Sequence, residues 1–381
     1  MEQLVRLGDV CTVVSGSTPK TSVDEYWNGD VKWITPAELD ADSYYIHDSV
    51  KHITELGRTK TGLSYMPVGT VILSSRAPIG KTAILGCEMC CNQGFKNLIC
   101  TDRIFNEYLY HFLRAKTNYL NSLGRGATFK ELSKGIVENV LIPLPAIEEQ
   151  HHIADLFASV EELIQTKKQQ LDLFDELVKS RFIELFGVYD LSHAQSNWKS
   201  ISEIGKVVGG ATPKTNIEEY WDGEYRWITP AELSSDSGYI YDSVRKLTKA
   251  GVDSCSLQEM PIDTVILSSR APIGKVAIAG NTFYCNQGFK NIICNKEILP
   301  RYLYTVLLLN TEYLNSLGRG ATFKEISKSI VENIRVPVPP IELQEQFTAF
   351  VEQTDKSKSA VQQSIAELEE LKKSLMQKYF G

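Results

Sequence analysis

Two long stretches of the chain carry apolar residues at helical spacing. In the first, Ile153, Leu156, Phe157, Val160, Leu163, Ile164, Leu171, Phe174, Val178 and Phe182 keep a repeat of three, four or seven. In the second, Phe347, Phe350, Val351, Thr354, Val361, Ile365, Leu368 and Leu375 do the same. Such stripes predict amphipathic helices. Each stripe follows a proline-rich joint, "IPLPAIEEQ" with Pro143 and Pro145, and "VPVPPIELQ" with Pro337, Pro339 and Pro340. Prolines favour extended chain and then permit a helix start. Glu148, Glu149 and Glu342 fall in the first turn, where acids complement the helix dipole. Gly187 and Gly381 suit the helix ends. A helix of about 40 residues is about 60 Å long. That is more than one small domain needs, so each stripe is expected to pack against the other.

The remainder has a different pattern. Short β-branched runs such as "GTVILSS" and "NLIC" are broken by Gly, Pro, Asn and Asp. They predict mixed α+β domains with several short strands.

These two patterns occur twice. Residues 4–187 align with 198–381 at a constant offset of 194, without insertion. "TPKT" begins at Thr18 and Thr212, "WITPAEL" at Trp33 and Trp227, and "TVILSSRAPIGK" at Thr70 and Thr264. "CNQGFKN" begins at Cys91 and Cys285, "YLNSLGRGATFKE" at Tyr119 and Tyr313, and "IVEN" at Ile136 and Ile330. The helical tails keep their stripe but differ at most positions. The expected fold class is therefore α+β: two similar mixed α/β domains joined by two long antiparallel helices, with an internal pseudo-two-fold. The boundaries read as domain one at 1–145, a long helix at 146–187, a linker at 188–197, domain two at 198–339 and a second long helix at 340–381. Chain order makes the second helix run back along the first, so the chain's last residues are expected near domain one.

Composition adds limits. The 381 residues are 43% hydrophobic and 23% charged, which suits a soluble globular protein. No run of 18 apolar residues offers a membrane span, and "MEQLVRLGDV" lacks the basic start and apolar core of a signal peptide. A cytoplasmic location without a membrane partner is expected. Net charge is −7, which disfavours a simple nucleic-acid binder until the regions are separated. Residues 16–146 carry 14 basic and 13 acidic side chains, and 210–340 carry 14 of each. Residues 147–187 carry 4 against 9, and 341–381 carry 5 against 7. The acidic excess sits mostly in the helices, so the domains remain open to DNA.

The repeat also tests each chemical motif. "APIGK" resembles the end of a phosphate loop, whose pattern is G-x-x-x-x-G-K-[ST]. Its first glycine is replaced by Ser75 and Ser269, and its final hydroxyl is Thr82 in one copy but Val276 in the other. Pro78 and Pro272 remove a donor from the supposed cradle. "CEMCC" contains a C-x-x-C, but Cys87 and Cys90 meet Asn281 and Tyr284 in copy two. All six histidines, His47, His52, His111, His151, His152 and His193, lie in copy one or the linker. Neither a metal site nor histidine chemistry can belong to both copies. Serine nucleophile elbow, H-E-x-x-H, dinucleotide G-x-G-x-x-G and amino-methyltransferase [DN]-P-P-[YF] patterns are all missing. The chain is expected to be non-catalytic, with no metal site and no cofactor of its own.

What repeats is polar and basic. Thr18, Lys20, Lys32, Ser75, Arg76, Lys81, Asn92, Gln93, Lys96, Arg125, Thr128 and Lys130 lie in or beside matched blocks. Copy two supplies Thr212, Lys214, Arg226, Ser269, Arg270, Lys275, Asn286, Gln287, Lys290, Arg319, Thr322 and Lys324. Arg, Lys, Ser and Thr suit phosphate oxygens, while Asn, Gln and Arg suit base edges. These are the candidate DNA-binding residues. Arg76 and Lys81, with Arg270 and Lys275, are expected to face DNA from the tip of a turn. A protein-binding scaffold of the same build, without DNA, is the alternative.

The order of "G-x-TP", "W-I-T", "SSRAPIG", "GRGATFKELSK" and "IPLP…EEQ…IA", with a long helix after each domain, resembles the specificity subunit of type I restriction–modification systems. The resemblance covers the whole chain. It implies that each domain reads one half of a bipartite double-stranded DNA site. It implies that the helices set half-site spacing and dock two modification (methyltransferase) subunits, which hold S-adenosylmethionine and methylate adenine. It also implies restriction/translocase subunits that use ATP and Mg. Members usually carry dissimilar domains, whereas these are near-copies, so closely similar, inverted half-sites are expected.

Overall fold

The computed structural model describes residues 3–40, 43–124, 130–233, 238–255, 257–319 and 324–381. It divides into two compact units, residues 1–170 with 361–381, and 171–360. The division falls inside the long helices rather than at the proline joints, because each unit packs the near end of one helix and the far end of the other.

In the first unit a five-stranded sheet has the order Cys11–Ser15, Phe95–Cys100, Val71–Ser74, Thr82–Leu85 and Tyr45–Ile46. Its pairs are antiparallel except the last, which is parallel. The central strand Val71–Ser74 is buried at every position, so a continuous apolar run was the right strand signal. Val71 and Leu73 face one core with Ile84, Leu98 and the helix Asn106–Ala115. Ile72 faces a second with Ala83, Leu85, Phe95 and Ile34. Covering both faces removes the usual in–out alternation.

A three-stranded sheet, His52–Ile53, Trp27–Ile34 and Cys90–Cys91, lies on that second core. The first and last parts of the domain close as a pair, Leu4–Arg6 against Leu141–Pro143. The second unit repeats the plan. Gly205–Gly209, Phe289–Cys294, Val265–Ser268, Val276–Ala279 and Tyr239–Ile240 form its large sheet. Arg245–Leu247, Trp221–Ile228 and Tyr284–Cys285 form the small one.

The long helices are Ile147–Phe186 and Ile341–Phe380, close to the bounds the stripes predict. Gly187 ends the first in a left-handed conformation, φ 84°, which favours glycine. A buried glutamine ties each helix start to its domain. Gln150 accepts from Phe105 N at 2.8 Å and donates to Arg103 O and Pro145 O at 3.1 and 3.0 Å. Gln344 repeats this with Leu299, Glu297 and Pro339. Within the first unit the helices run antiparallel, with Phe157 beside Phe380 and Glu161 beside Lys372. Within the second, Phe182 meets Phe347 and Asp175 pairs with Lys358. The stripe is not buried throughout, since Leu163 is exposed. The segment 188–197 is more than a tether, because Leu191 and Tyr189 pack on the second unit's core.

Candidate nucleic-acid interface

Four strand ends meet at one rim of the five-stranded sheet. The segments leaving them are held together by hydrogen bonds rather than left as free loops. Gly16 follows Cys11–Ser15 and lies so close to the backbone of Cys91 and Asn92 that a Cβ there would sit 2.0 Å from Asn92 O. Only glycine fits such an approach. Asn92 Nδ2 donates to Thr18 Oγ1 at 2.9 Å, and Asn92 Oδ1 accepts from Gly94 N at 2.7 Å. Two indoles pin the same loop, Trp33 donating to Ser17 O at 3.1 Å and Trp27 to Lys20 O at 3.2 Å.

The turn after Val71–Ser74 is tied in on three sides. Ser75 N donates to Gly94 O at 2.7 Å, Gly80 N to Ser74 O at 3.1 Å, and Lys81 N to Ser74 Oγ at 2.9 Å. Its Ala77–Pro78 bond is cis, and Gly80 has φ 100°. These donors are consumed inside the fold, and Pro78 has none, so the turn cannot cradle a phosphate as a P-loop does. The G-K pair serves geometry: glycine for a left-handed φ, lysine for a tether. Lys81 Nζ donates to Leu39 O at 2.5 Å and to Pro36 O at 3.4 Å.

Beneath the turn is an ion cluster. Lys96 has a side chain only 6% exposed, and its Nζ lies 3.2 Å from Ser75 Oγ and 3.5 Å from Glu131. Arg76 Nε lies 3.1 Å from the other oxygen of Glu131, with its side chain 46% exposed. One carboxylate thus satisfies a buried ammonium and half of an exposed guanidinium. Leu132 N donates to Ser75 O at 2.8 Å, which brings the segment at 130–132 to the rim.

These contacts recur in the second unit, except that Lys275 Nζ reaches Leu233 O at 2.8 Å without a counterpart, among the described residues, of the bond to Pro36 O. Lys290 Nζ lies 3.2 Å from Ser269 Oγ, Arg270 Nε 3.0 Å from Glu325, and Asn286 Nδ2 2.9 Å from Thr212 Oγ1. Burial raises the Glu325 carboxyl, but hydrogen bonds from Lys290 and Arg270 outweigh it and hold the group below its ordinary value.

The structure therefore sorts the sequence candidates. Ser75, Ser269, Lys96 and Lys290 are buried and engaged within the fold. Lys81 and Lys275 turn inward onto the carbonyls of Leu39 and Leu233, not outward as expected from the sequence, because the loop after the small sheet needs its carbonyls satisfied. Thr18 with Asn92, and Thr212 with Asn286, latch two loops together. Lys32 and Arg226 lie apart from the turn, on the small sheet. Lys20, Gln93, Lys130, Lys214, Gln287, Lys324 and Arg319 are exposed, and their side chains have no hydrogen-bond or ion-pair partner among the described residues. Arg125, Thr128 and Thr322 lie outside the described residues.

Sequence reasoning missed the acids and indoles that hold the rim. Glu131 and Glu325 hold the ion cluster. Glu38 accepts from Thr35 N at 2.8 Å and Val50 N at 2.6 Å, joining the "WITPAEL" loop to the next one, and Glu232 does the same. Both acids sit in blocks unchanged between the copies, which was the available signal.

A model of the type I restriction modification DNA specificity domain matches residues 2–173 and again 195–370. The chain belongs to this family. Among specificity subunits, that of the type I restriction enzyme MjaIX of Methanocaldococcus jannaschii is 40% identical over 47% of this chain and 43% of its own length. The chain thus spans less than half of that relative at this identity. The MjaVIII specificity subunit of the same organism is 22% identical over 98% of this chain and 91% of its own. The type I restriction–modification S subunit from M. genitalium shares the fold, with a TM-score of 0.57 at 15% identity over 100% of this chain and 96% of that one. A chain from a study of assembly and conformational transition in a type I R-M system gives 0.64 at 21% identity over 99% and 97%. Among the described residues, no helix is long and apolar enough to cross a membrane, and no His/Cys/Asp/Glu group could hold a metal ion.

Proposed function

We propose that this specificity subunit reads an interrupted, near-palindromic site on double-stranded DNA, one domain to each half. The observation that carries this is the rim: in both units the same buried cluster holds an exposed arginine beside exposed, unpaired lysines and a glutamine. Solvent-facing cations at a rigid rim suit phosphates, and glutamine and arginine suit purine edges. Lys20, Arg76, Lys130, Lys214, Arg270 and Lys324 are the phosphate candidates. The four buried Ser and Lys residues act as their support.

The catalytic work belongs to partners in this reading. Two modification subunits would bind the helices and supply S-adenosylmethionine, and restriction/translocase subunits would supply ATP and Mg, in a cytoplasmic complex. The helices joining the domains would set the unread spacer.

The test is a map of methylated adenines in a host carrying this subunit with its modification partner. Two closely similar, inverted half-sites are expected, and two unrelated half-sites would overturn the near-palindrome. With six cations on phosphates, log affinity should fall against log salt with a slope of about −5. Absence of salt-dependent, sequence-specific DNA binding would instead favour the scaffold that does not bind DNA.

A further inference from the structure

The two domains are near-copies, so the places where they differ at an exposed polar cluster point to where their readings part. Along the small sheet and the short helix after it, most exposed positions have changed. The changes on the helix are paired among themselves: Glu55 with Arg58 in copy one, Lys249 with Asp253 in copy two. Those on the sheet are not. They surround an acid that has not changed.

In the first unit that acid is Asp48, 72% exposed, with Lys32 Nζ at 3.6 Å and His52 Nε2 at 3.7 Å. Lys32 also donates to His47 O at 2.7 Å, and Cys87 Sγ lies 3.0 Å from the same carbonyl. In the second unit the acid is Asp242, with Arg226 Nε at 3.2 Å and Lys246 Nζ at 3.7 Å. Asn281 donates to Tyr241 O at 2.6 Å. At the offset of 194, four positions change together, Lys32 to Arg226, His47 to Tyr241, His52 to Lys246 and Cys87 to Asn281.

This cluster is joined to the rim through unchanged residues. Ser49 Oγ accepts from Trp33 N at 2.9 Å, and Glu38 accepts from Val50 N at 2.6 Å. Ser243 and Glu232 repeat both bonds. An invariant mount therefore carries a variable tip.

The chemistry of the change has a direction. The Lys32 ammonium is spent on His47 O and Asp48. Arg226 is held by one nitrogen only, Nε to Asp242, and its two terminal nitrogens have no partner among the described residues. A guanidinium fixed from behind and open in front fits the N7 and O6 acceptors of guanine.

We propose that the Asp48 and Asp242 clusters are the specificity-determining tips of the two domains, and that Arg226 gives the second half-site a guanine that the first lacks. This rests on the DNA-reading role above. The experiment uses the full subunit with its modification partner in a host, read by methylated-adenine mapping. In the variant Lys32→Arg, His47→Tyr, His52→Lys, Cys87→Asn, the first half-site should become identical to the second. Arg226→Lys alone should reduce methylation at the original site by roughly tenfold or more and relax one base of the second half-site. An unchanged motif in both variants, with methylation intact, overturns the proposal. So does a wild-type motif whose half-sites are already identical. Wild-type subunit that directs no sequence-specific methylation would instead sink the DNA-reading role itself.

Discussion

His111 shows how a single residue can set the acid limit of one unit. It is fully buried, stacks on Phe157 at 4.8 Å, and neither ring nitrogen has a hydrogen-bond partner among the described residues. Burial, helped by the charges of Arg114 and Lys372, pushes it down to about 3. The folded state keeps it neutral while the unfolded chain takes up a proton below about 6.5. Stability is therefore whole at neutral pH and falls as pH drops from about 6.5 toward 3. By pH 5 the loss is about 2 kcal/mol. His111→Phe should remove this slope, so unfolding at pH 7 and pH 5 should differ less in the variant than in the wild type. At the residue scale the sequence showed which polar positions repeat between the copies but not which way they point. Lys96 and Lys20 both sit in unchanged blocks, yet one is buried and the other exposed. The strand Phe95–Cys100 is covered on both faces, so no alternation betrays the buried lysine.

At the scale of elements, the long helices explain how tails can drift and still serve. Glu161 and Asp355 stand at the same place in the repeat. Glu161 is held by Arg114 at 3.8 Å and Lys372 at 2.5 Å, whereas Asp355 is held by Arg301 at 2.7 Å. In copy two the place of Arg114 is taken by Leu308, and in copy one the place of Arg301 by Glu107. The cation has moved while the acid on the helix stayed. The helices themselves were legible from their stripes and proline joints, as were the short strands. What each stripe end touches was not, because periodicity gives a face and no partner. Phe380 is the sharpest case: it is buried against Tyr108 at 5.3 Å, Phe112 at 5.8 Å and Phe157 at 5.8 Å. Phe380→Ala should cost about 3 to 5 kcal/mol. Hydrogen exchange should place that loss in the first unit and leave the second unchanged.

At the scale of the whole molecule, the two units complete themselves reciprocally. Phe380, from copy two, packs on Tyr108 in the first unit, and Phe186, from copy one, packs on Tyr302 at 4.9 Å in the second. The two phenylalanines are equivalent in the repeat. A fragment of residues 1–194 therefore holds a domain that lacks its closing phenylalanine and a helix end that could close another copy. Such fragments should associate in pairs, and sedimentation at twice the fragment mass checks this; a stable monomer would contradict it. The repeat was plain in the sequence. That its halves trade helix ends came only from the packing.

That trade also has a meaning in time. Domains tend to fold as units in the order they are synthesised. Here the first unit includes residues 361–381, so its aromatic core at Tyr108, Phe112 and Phe157 stays open while the whole second domain is being made. Nascent chains paused between residues 190 and 360 should expose that apolar surface to chaperones, and become protease-resistant in the first domain only after residue 380 has left the ribosome.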